Sequence, residues 1–195
     1  MQLTKDEIKN LQRTLKASGF DPGPIDGLWG SKTEAAYQRS QKAHDNAQPS
    51  ETNQLRTFDS RSEANIKSLV PKAQVAARKF LAAVLDAGIE AKIISGNRTW
   101  AEQDALFAKR PQVTKARGGF SNHNFGIAWD IGIFKGGAYL PESPLYAQAG
   151  QIGRQQGLEW GGDWKSFKDE PHFNLKTGKT MAELRAAFLK GEPYV

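Results

Sequence analysis

The segment that most constrains the fold is GIAWDIGIF, residues 126–134, an apolar stretch that carries one carboxylate, Asp130, at its centre. A short run of apolar, β-branched and aromatic residues predicts a buried strand. A carboxylate that is buried there without a partner is strongly unfavourable. A fold that contains this strand must therefore offset the free-energy cost of burying the Asp130 carboxylate. Metal ligation and an ion pair with a buried arginine both satisfy that requirement.

The residues available for metal binding are restricted, because the chain contains no cysteine. Disulfides and thiolate metal sites are excluded, so a metal would be bound by His, Asp, Glu or water. Three histidines are present, and His44 falls in a polar stretch, which leaves His123 and His172. A hydrolytic zinc site needs three protein ligands and an open position for water, whose pKa the ion lowers. The spacing of His123 and Asp130 alone is a weak signal, and a hydrogen-bonded loop histidine explains His123 more simply.

The spacing of apolar residues, together with capping signals, predicts an α+β fold. Helices are predicted over residues 4–18, 31–43, 62–87, 99–110, 143–157 and 180–190, with Pro71 as a break in the third. Capping boxes are predicted at Thr4 and Glu7, Ser31 and Glu34, and Thr99 and Glu102. The apolar face of the third helix holds Val75, Phe80, Leu81, Val84 and Leu85. Strands are predicted at 91–95, 126–134, 158–160 and 172–175. Helices and short strands without regular βαβ alternation favour the α+β class.

A polar stretch without periodicity, residues 44–60, predicts a linker between two domains. We place the first domain at residues 1–45, the linker at 46–60 and the second domain at 61–195. A unit of this small size buries little apolar surface. We therefore expect the Gly- and Pro-rich turns of residues 20–30 to help close it, with Leu28 and Trp29 in the core.

The net charge of +6 lies entirely in the second part of the chain. Residues 1–60 hold eight basic and eight acidic residues, whereas the remainder holds nineteen against thirteen. An excess of positive charge favours an anionic partner, such as a cell-wall polymer or nucleic acid, although solubility explains it equally. Nucleic-acid binding lacks a supporting motif. No apolar run reaches the roughly 18 residues of a membrane span, and the first residues show no signal-peptide pattern.

The N-terminal segment IKNLQRTLKASGFDPGPIDGLWGSKTEAAYQRSQ resembles the peptidoglycan-binding domain of many cell-wall hydrolases, a three-helix module. The shared marks are LQ, the long turn GFDPGPIDGLWG, and TEAA before the closing RSQ. The resemblance covers about residues 3–43 and implies that this domain anchors the protein to the wall. A helical appendage that has lost its binding function is the alternative.

A second resemblance rests on S-x-H-x-x-G-x-A-x-D, with SGNRT upstream and GLEWGGDWKSFKDEPHF downstream. Over residues 60–175 the chain resembles the D-Ala-D-Ala carboxypeptidase and L-alanyl-D-glutamate peptidase group of zinc enzymes, and in particular the wall-lysing peptidases of bacteriophages. The resemblance implies a peptidase domain with a small central antiparallel sheet and one zinc ion per chain. His123, Asp130 and His172 match the zinc ligands. Gly126 is expected to permit close backbone approach.

The same resemblance assigns roles to other polar residues. Asp169, three positions before the last ligand, matches the general base, with Glu170 as the neighbouring alternative. An aspartate there is usual in the L-alanyl-D-glutamate branch. Arg98 matches an arginine that stabilises the oxyanion or clamps a substrate carboxylate, although an ion pair that holds the loop is an alternative. Gln103 matches a recurrent position that helix packing explains equally. The candidate substrate contacts are Ser121, Trp129 and Trp164.

The function implied is that of a monomeric endolysin-like zinc peptidase that hydrolyses the L-Ala–D-Glu bond of peptidoglycan. The enzymatic alternative is a D-Ala-D-Ala carboxypeptidase or endopeptidase, and the non-enzymatic one is a wall-binding protein. A wall substrate without a signal peptide suggests an antibacterial lysin of a phage or prophage. It would be made in the host cytoplasm and released through a membrane pore formed by another protein, without stable membrane insertion of its own.

Overall fold

The computed structural model describes residues 3–46, 57–111 and 113–195, with the backbone alone for residues 41–46. The chain divides into two compact units. The first comprises Met1–Asn53, Arg98–Phe125 and Gly178–Val195, and the second comprises Gln54–Asn97 and Gly126–Thr177. The predicted linker lies largely outside the described residues, so the domains 1–45 and 61–195 stay a prediction.

The described residues contain seven α-helices and five strands, which confirms the α+β class. The helices are α1 (Lys5–Ala17), α2 (Ser31–Asn46), α3 (Ser60–Lys67), α4 (Pro71–Asp86), α5 (Trp100–Ala108), α6 (Leu145–Gln155) and α7 (Met181–Lys190). The strands are β1 (Ala91–Ser95), β2 (Ala128–Lys135), β3 (Ala138–Leu140), β4 (Leu158–Trp160) and β5 (His172–Leu175). Each helix and strand predicted from the spacing of apolar residues has a counterpart, and β3 is the strand that this pattern missed. No described helix has the length and apolar character that crossing a membrane requires.

In the first unit, two predicted capping boxes are confirmed. The Thr4 side chain accepts the Glu7 backbone N–H, and the Glu7 carboxylate accepts the Thr4 N–H at 2.7 Å. Thr99 and Glu102 repeat the arrangement at the start of α5. The third predicted box is wrong, because α2 begins at Ser31 itself and Glu34 binds elsewhere. Its carboxylate accepts hydrogen bonds from the Trp29 indole at 2.6 Å and from Gln38 at 2.8 Å.

The turn segment between α1 and α2 is closed by a polar side chain. Gln12 is almost fully buried. Its Oε1 accepts the Gly27 N–H at 2.9 Å, and its Nε2 donates to Asp26, the Leu28 carbonyl and Thr33 at 3.0–3.1 Å. The prediction that Leu28 and Trp29 fill the core is wrong, since they are 62% and 39% exposed. Hydrogen bonds of the buried Gln12 hold these turns together, and Leu28 and Trp29 face outward.

The described part of residues 3–46 contains two helices, where three were expected. The stretch between them, residues 18–30, forms consecutive turns. Gly19 ends α1 with a φ of 84°, a left-handed conformation that glycine adopts without steric cost.

The C-terminal segment of the first unit packs on α1 and on the short 3-10 helix Asn122–Phe125. The Arg13 guanidinium lies 5.5 Å from the centre of the Phe188 ring. Tyr194, the penultimate residue, is almost fully buried, and its hydroxyl donates to the Phe125 carbonyl at 2.9 Å. The end of the chain is therefore part of the packed unit.

The second unit is built on an antiparallel sheet, as predicted. The strand order is β1-β2-β5-β4, and β3 also pairs with β2. One face of the sheet packs on α4, where the Phe80 and Phe173 rings lie 4.3 Å apart. Phe80, Leu81 and Val84 are buried as expected, but Val75 is 44% exposed, so its place on the apolar face was predicted wrongly.

The predicted break of the long helix at Pro71 is confirmed. Val70 has an extended backbone, with a ψ of 151°, because a residue before proline avoids the helical region. The Val70 N–H donates to the Gly126 carbonyl at 2.9 Å. A Cβ on Gly126 would lie 3.2 Å from the Val70 backbone nitrogen, and Gly126 has a φ of 65°. Close backbone approach at Gly126 is therefore confirmed.

Candidate metal centre

Two of the predicted ligands lie side by side on neighbouring strands. Asp130 of β2 is directly opposite His172 of β5 in the antiparallel register. Paired residues project from the same face of a sheet, so their side chains meet. The His172 Nδ1 lies 3.1 Å from Asp130 Oδ1. The carboxylate in the middle of β2 is thus compensated by an imidazole, which accounts for its position in an apolar strand.

The third predicted ligand comes from the 3-10 helix that precedes β2. His123 is 3% exposed, and its carbonyl accepts the Arg98 N–H at 3.1 Å. One ligand-capable atom from each of His123, Asp130 and His172 lies within 4.8 Å of the others. Residues 49 positions apart in the chain are therefore brought together as a candidate metal centre.

The donor set fits a zinc ion. Two imidazoles and one carboxylate, without a thiolate, are a common catalytic zinc combination, and three protein ligands leave a position for water or substrate. His123 and His172 are buried, whereas Asp130 is partly exposed. The site is thus enclosed by protein but keeps access to solvent on the side of the carboxylate.

Asn174, which sequence reasoning did not single out, contacts the second imidazole. His172 Nε2 lies 3.2 Å from Asn174 Oδ1, and Asn174 is 1% exposed. The Asn174 Nδ2 donates to Glu159 Oε2 at 2.9 Å. The alternation of side chains in HFNL, which puts residues 172 and 174 on one face, was the available signal.

Asp169 lies in the turn before β5 and not in the strand. Its N–H donates to the Gly161 carbonyl at 3.0 Å, and its carbonyl accepts the His172 N–H at 3.1 Å. A Cβ on Gly161 would overlap the Asp169 carbonyl oxygen, so only glycine allows this approach. Asp169 and His172 are therefore joined by a hydrogen-bonded turn. The neighbouring Glu170 carbonyl accepts the Trp160 indole N–H at 2.7 Å, which fixes the same turn.

Arg98 is oriented by a buried glutamine. Its Nη1 donates to Gln103 Oε1 at 2.8 Å, and Gln103 is fully buried. The Gln103 Nε2 in turn donates to Thr114 Oγ1 at 3.2 Å and to the Ala116 carbonyl at 2.9 Å. The Asn124 side chain also donates to the Arg98 carbonyl at 2.9 Å. Gln103 is therefore not a surface packing residue but a support for the guanidinium.

The three candidate substrate contacts differ in their surroundings. Ser121 is partly exposed, and its carbonyl accepts the Asn124 N–H at 2.9 Å. Trp164 is 38% exposed, and its ring centre lies 4.9 Å from that of His172. Trp129 is fully buried and packs near Phe80. A side chain without exposed surface cannot touch a substrate, so the prediction for Trp129 is corrected to a core role.

Known proteins match both parts of the chain. Residues 114–175 match the family described as D-alanyl-D-alanine carboxypeptidase, and they include all three candidate ligands. Residues 4–47 match the family of peptidoglycan binding domains. Residues 4–47 are therefore similar to peptidoglycan-binding domains, and residues 114–175 are similar to a peptidase domain of the D-alanyl-D-alanine carboxypeptidase family.

Relatives of the peptidase domain are named for one peptidoglycan bond. The peptidoglycan L-alanyl-D-glutamate endopeptidase CwlK of Bacillus subtilis (strain 168) is 37% identical over 109 residues, 48% of this chain and 65% of the relative. The L-alanyl-D-glutamate peptidase of Listeria phage A118 is 36% identical over 128 residues, 61% of this chain and 43% of the relative. This chain thus spans less than two thirds of the length of either curated relative.

A solved structure resembles the fold of the peptidase domain. The crystal structure of the Serratia marcescens L-Ala D-Glu endopeptidase ChiX superposes with a TM-score of 0.52 at 29% sequence identity. The match covers 64% of this chain and 93% of the Serratia protein.

Proposed function

We propose that this protein is a zinc-dependent endopeptidase that hydrolyses the L-Ala–D-Glu bond in the stem peptide of peptidoglycan. The observation that carries the proposal is the convergence of His123, Asp130 and His172 within 4.8 Å. Three relatives named for L-alanyl-D-glutamate cleavage support the choice of bond.

His123, Asp130 and His172 would hold one zinc ion per chain. When bound, zinc supplies Lewis-acid chemistry, which lowers the pKa of a water molecule and polarises the scissile carbonyl. The protein's contribution is to hold the three donor groups before the ion arrives. The β2–β5 pairing holds Asp130 and His172, and the Arg98 N–H holds the carbonyl of His123.

Asp169 is the proposed general base. Its carboxylate would accept a proton from the attacking water and pass it to the leaving amine of D-Glu. Two backbone hydrogen bonds, to Gly161 and from His172, fix the turn that carries it. Its neighbour Glu170 is the alternative base, and separate Asp169→Asn and Glu170→Gln variants distinguish the two.

Arg98 is proposed to bind negative charge during the reaction. A guanidinium held in one orientation stabilises an oxyanion or clamps a carboxylate of the stem peptide. The hydrogen bond from Nη1 to the buried Gln103 restricts its rotation before substrate binds. Ser121 and Trp164, which are both partly exposed, are the proposed substrate contacts.

The N-terminal domain is proposed to hold the wall and raise the local concentration of stem peptides. The proposed biological setting is a phage or prophage lysin that reaches the wall from the host cytoplasm through a separate pore and acts as a monomer. The relative from a Listeria phage supports this setting, whereas the relative from Bacillus subtilis fits a cellular wall enzyme.

The D-Ala–D-Ala bond is the second candidate substrate, because the matching family is described by that activity. Mass spectrometry of peptidoglycan digested by the zinc-loaded protein, with and without a chelator, decides between them. A chelator-sensitive new D-Glu amino terminus is expected. Free D-Ala or a cut at the cross-link would move the protein to the second candidate, and an intact stem peptide would refute the peptidase proposal.

Two variants complete this experiment. Asp130→Asn should abolish cleavage, because it weakens a metal ligand. Asp86→Asn, the same change at an exposed position at the end of α4, should cleave like the wild type. Equal activity of both variants would contradict the assignment of Asp130.

A further inference from the structure

A row of four polar side chains crosses one face of the sheet, from Asp130 through His172 and Asn174 to Glu159. The three contacts measure 3.1, 3.2 and 2.9 Å. We propose that Asn174, held by Glu159, is a positioning residue that keeps the proton of His172 on Nε2 and thereby presents Nδ1 to the metal. This inference rests on the proposed zinc site.

The sheet register places these groups. His172 and Asn174 are two positions apart on β5 and project from the same face. Asp130 is paired with His172 across β2, and Glu159 is paired with Asn174 across β4. The row is therefore a consequence of strand pairing and needs no contribution from a loop.

The orientation of the Asn174 amide follows from its partners. Its Nδ2 lies 2.9 Å from Glu159 Oε2 and 2.9 Å from the Leu175 carbonyl. Carboxylate and carbonyl oxygens only accept hydrogen bonds, so the amide group that faces them must be the NH₂. The Asn174 Oδ1 consequently faces His172, and it too only accepts.

The tautomer of His172 follows in turn. A neutral imidazole carries one N–H and one lone pair. Because Oδ1 of Asn174 can only accept, the hydrogen bond at 3.2 Å requires the proton on Nε2. Asp130 Oδ1, which faces Nδ1, also only accepts, so a metal ion would take the place of the proton that this contact otherwise needs, and Nδ1 would then present its lone pair to the ion. A metal-binding imidazole whose other nitrogen donates to a fixed oxygen is held in one tautomer and one ring orientation.

The inference is tested by zinc affinity, measured by competition with a chromogenic chelator, which needs no activity. Asn174→Leu keeps the side-chain volume but removes the acceptor, and it should weaken zinc binding by about 10- to 100-fold. Asn174→Asp combined with Glu159→Gln reverses the donor and acceptor between the two residues and still accepts from His172, although it loses the hydrogen bond to the Leu175 carbonyl. This double variant should bind zinc more tightly than Asn174→Leu.

A matched control is Asn10→Leu, the same change at a buried asparagine of α1 in the first unit. It should leave zinc affinity unchanged, even if stability falls. Wild-type affinity in folded Asn174→Leu would overturn the inference, and so would loss of affinity in the double variant equal to that in Asn174→Leu.

The tautomer can also be read directly in the wild-type chain, which keeps the test valid if a variant fails to fold. Nitrogen-15 NMR of the zinc-loaded protein should show His172 protonated at Nε2 and bound to zinc, without a proton, at Nδ1. The opposite tautomer would overturn the inference while leaving the zinc site standing. A wild-type protein that binds no zinc would refute the proposed function and, with it, the role of Asn174 in presenting a ligand.

Discussion

The buried Tyr194 allows a test of what holds the 3-10 helix Asn122–Phe125, the turn that carries the candidate ligand His123. Tyr194 is 1% exposed, and its hydroxyl donates to the carbonyl of Phe125, a fully buried residue two positions after His123. Burial raises the pKa of the Tyr194 hydroxyl, and a hydrogen bond with Thr14 opposes that shift. The hydroxyl therefore remains protonated at neutral pH and available as a donor.

The change Tyr194→Phe keeps the ring, whose centre lies 6.3 Å from that of Phe125 and 6.0 Å from that of Phe188. It removes the hydroxyl and leaves the Phe125 carbonyl buried without this donor. The expected loss is about 1–3 kcal/mol in the free energy of unfolding. For a chain of this size, each kcal/mol lowers the melting temperature by roughly 2–4 °C.

The assay is urea unfolding of the metal-free protein, followed by the shift of the midpoint at unchanged slope. Tyr37→Phe is the matched control, because Tyr37 belongs to the same unit but is partly exposed. Its change should stay within about 0.5 kcal/mol. Equal stability of the Tyr194→Phe variant and the wild type would refute the argument that this hydrogen bond fastens the turn.

Three further predictions concern charge, metal and turnover. Arg78 donates two hydrogen bonds to Glu63, at 2.6 and 2.8 Å, and these hold the pKa of the Glu63 carboxyl below its usual value of 4.5. The pair therefore stabilises the fold above pH 4.5, and this contribution is lost as the pH falls through the pKa that Glu63 has in the folded protein. In the Glu63→Gln variant, the free energy of unfolding should depend less on pH below pH 4.5. The same pH dependence as in the wild type, measured by urea unfolding, would contradict this. Zinc at 1,000 times its Kd should stabilise the wild type by about 4 kcal/mol, measured by thermal unfolding, but should not stabilise the Asp130→Ala variant. Equal stabilisation of both proteins by zinc would exclude Asp130 as a ligand. Arg98→Ala and Gln103→Met should lower kcat with zinc content unchanged, and a parallel loss of zinc would indicate a structural role for both.

Features that depend on neighbouring residues were predictable from the sequence. The capping boxes at Thr4 and Thr99 were predicted because the acidic partner lies three positions ahead, within one turn. The break at Pro71 follows from the geometry of one residue and its predecessor. The three candidate ligands were identified by resemblance to a known motif, and their convergence agrees with it.

Features that depend on long-range hydrogen bonds were not predictable. Hydropathy favours Leu28 and Trp29 in the core of the N-terminal turns, but Gln12 is the buried residue there. A glutamine can be buried at low cost when both ends of its amide are satisfied, and its partners lie 14 to 21 positions away in the chain. The same difficulty hid Asn174, whose role depends on the β4–β5 register.

The strand beside Asp130 contains an irregularity that the sequence pattern does not indicate. β1 pairs with β2 through Ile93 and Ile131, then shifts so that Ser95 pairs with Asp130. One residue of β1 is thus unmatched opposite the ligand, as in a β-bulge, a feature that locally bends a strand and redirects side chains near active sites. AKIIS contains no glycine that would mark a bulge. Because a slip of one residue turns every side chain of a strand to the other face, the β2–β5 register decides whether Asp130 faces His172, and the bulge changes the register of β1 on the other side of Asp130.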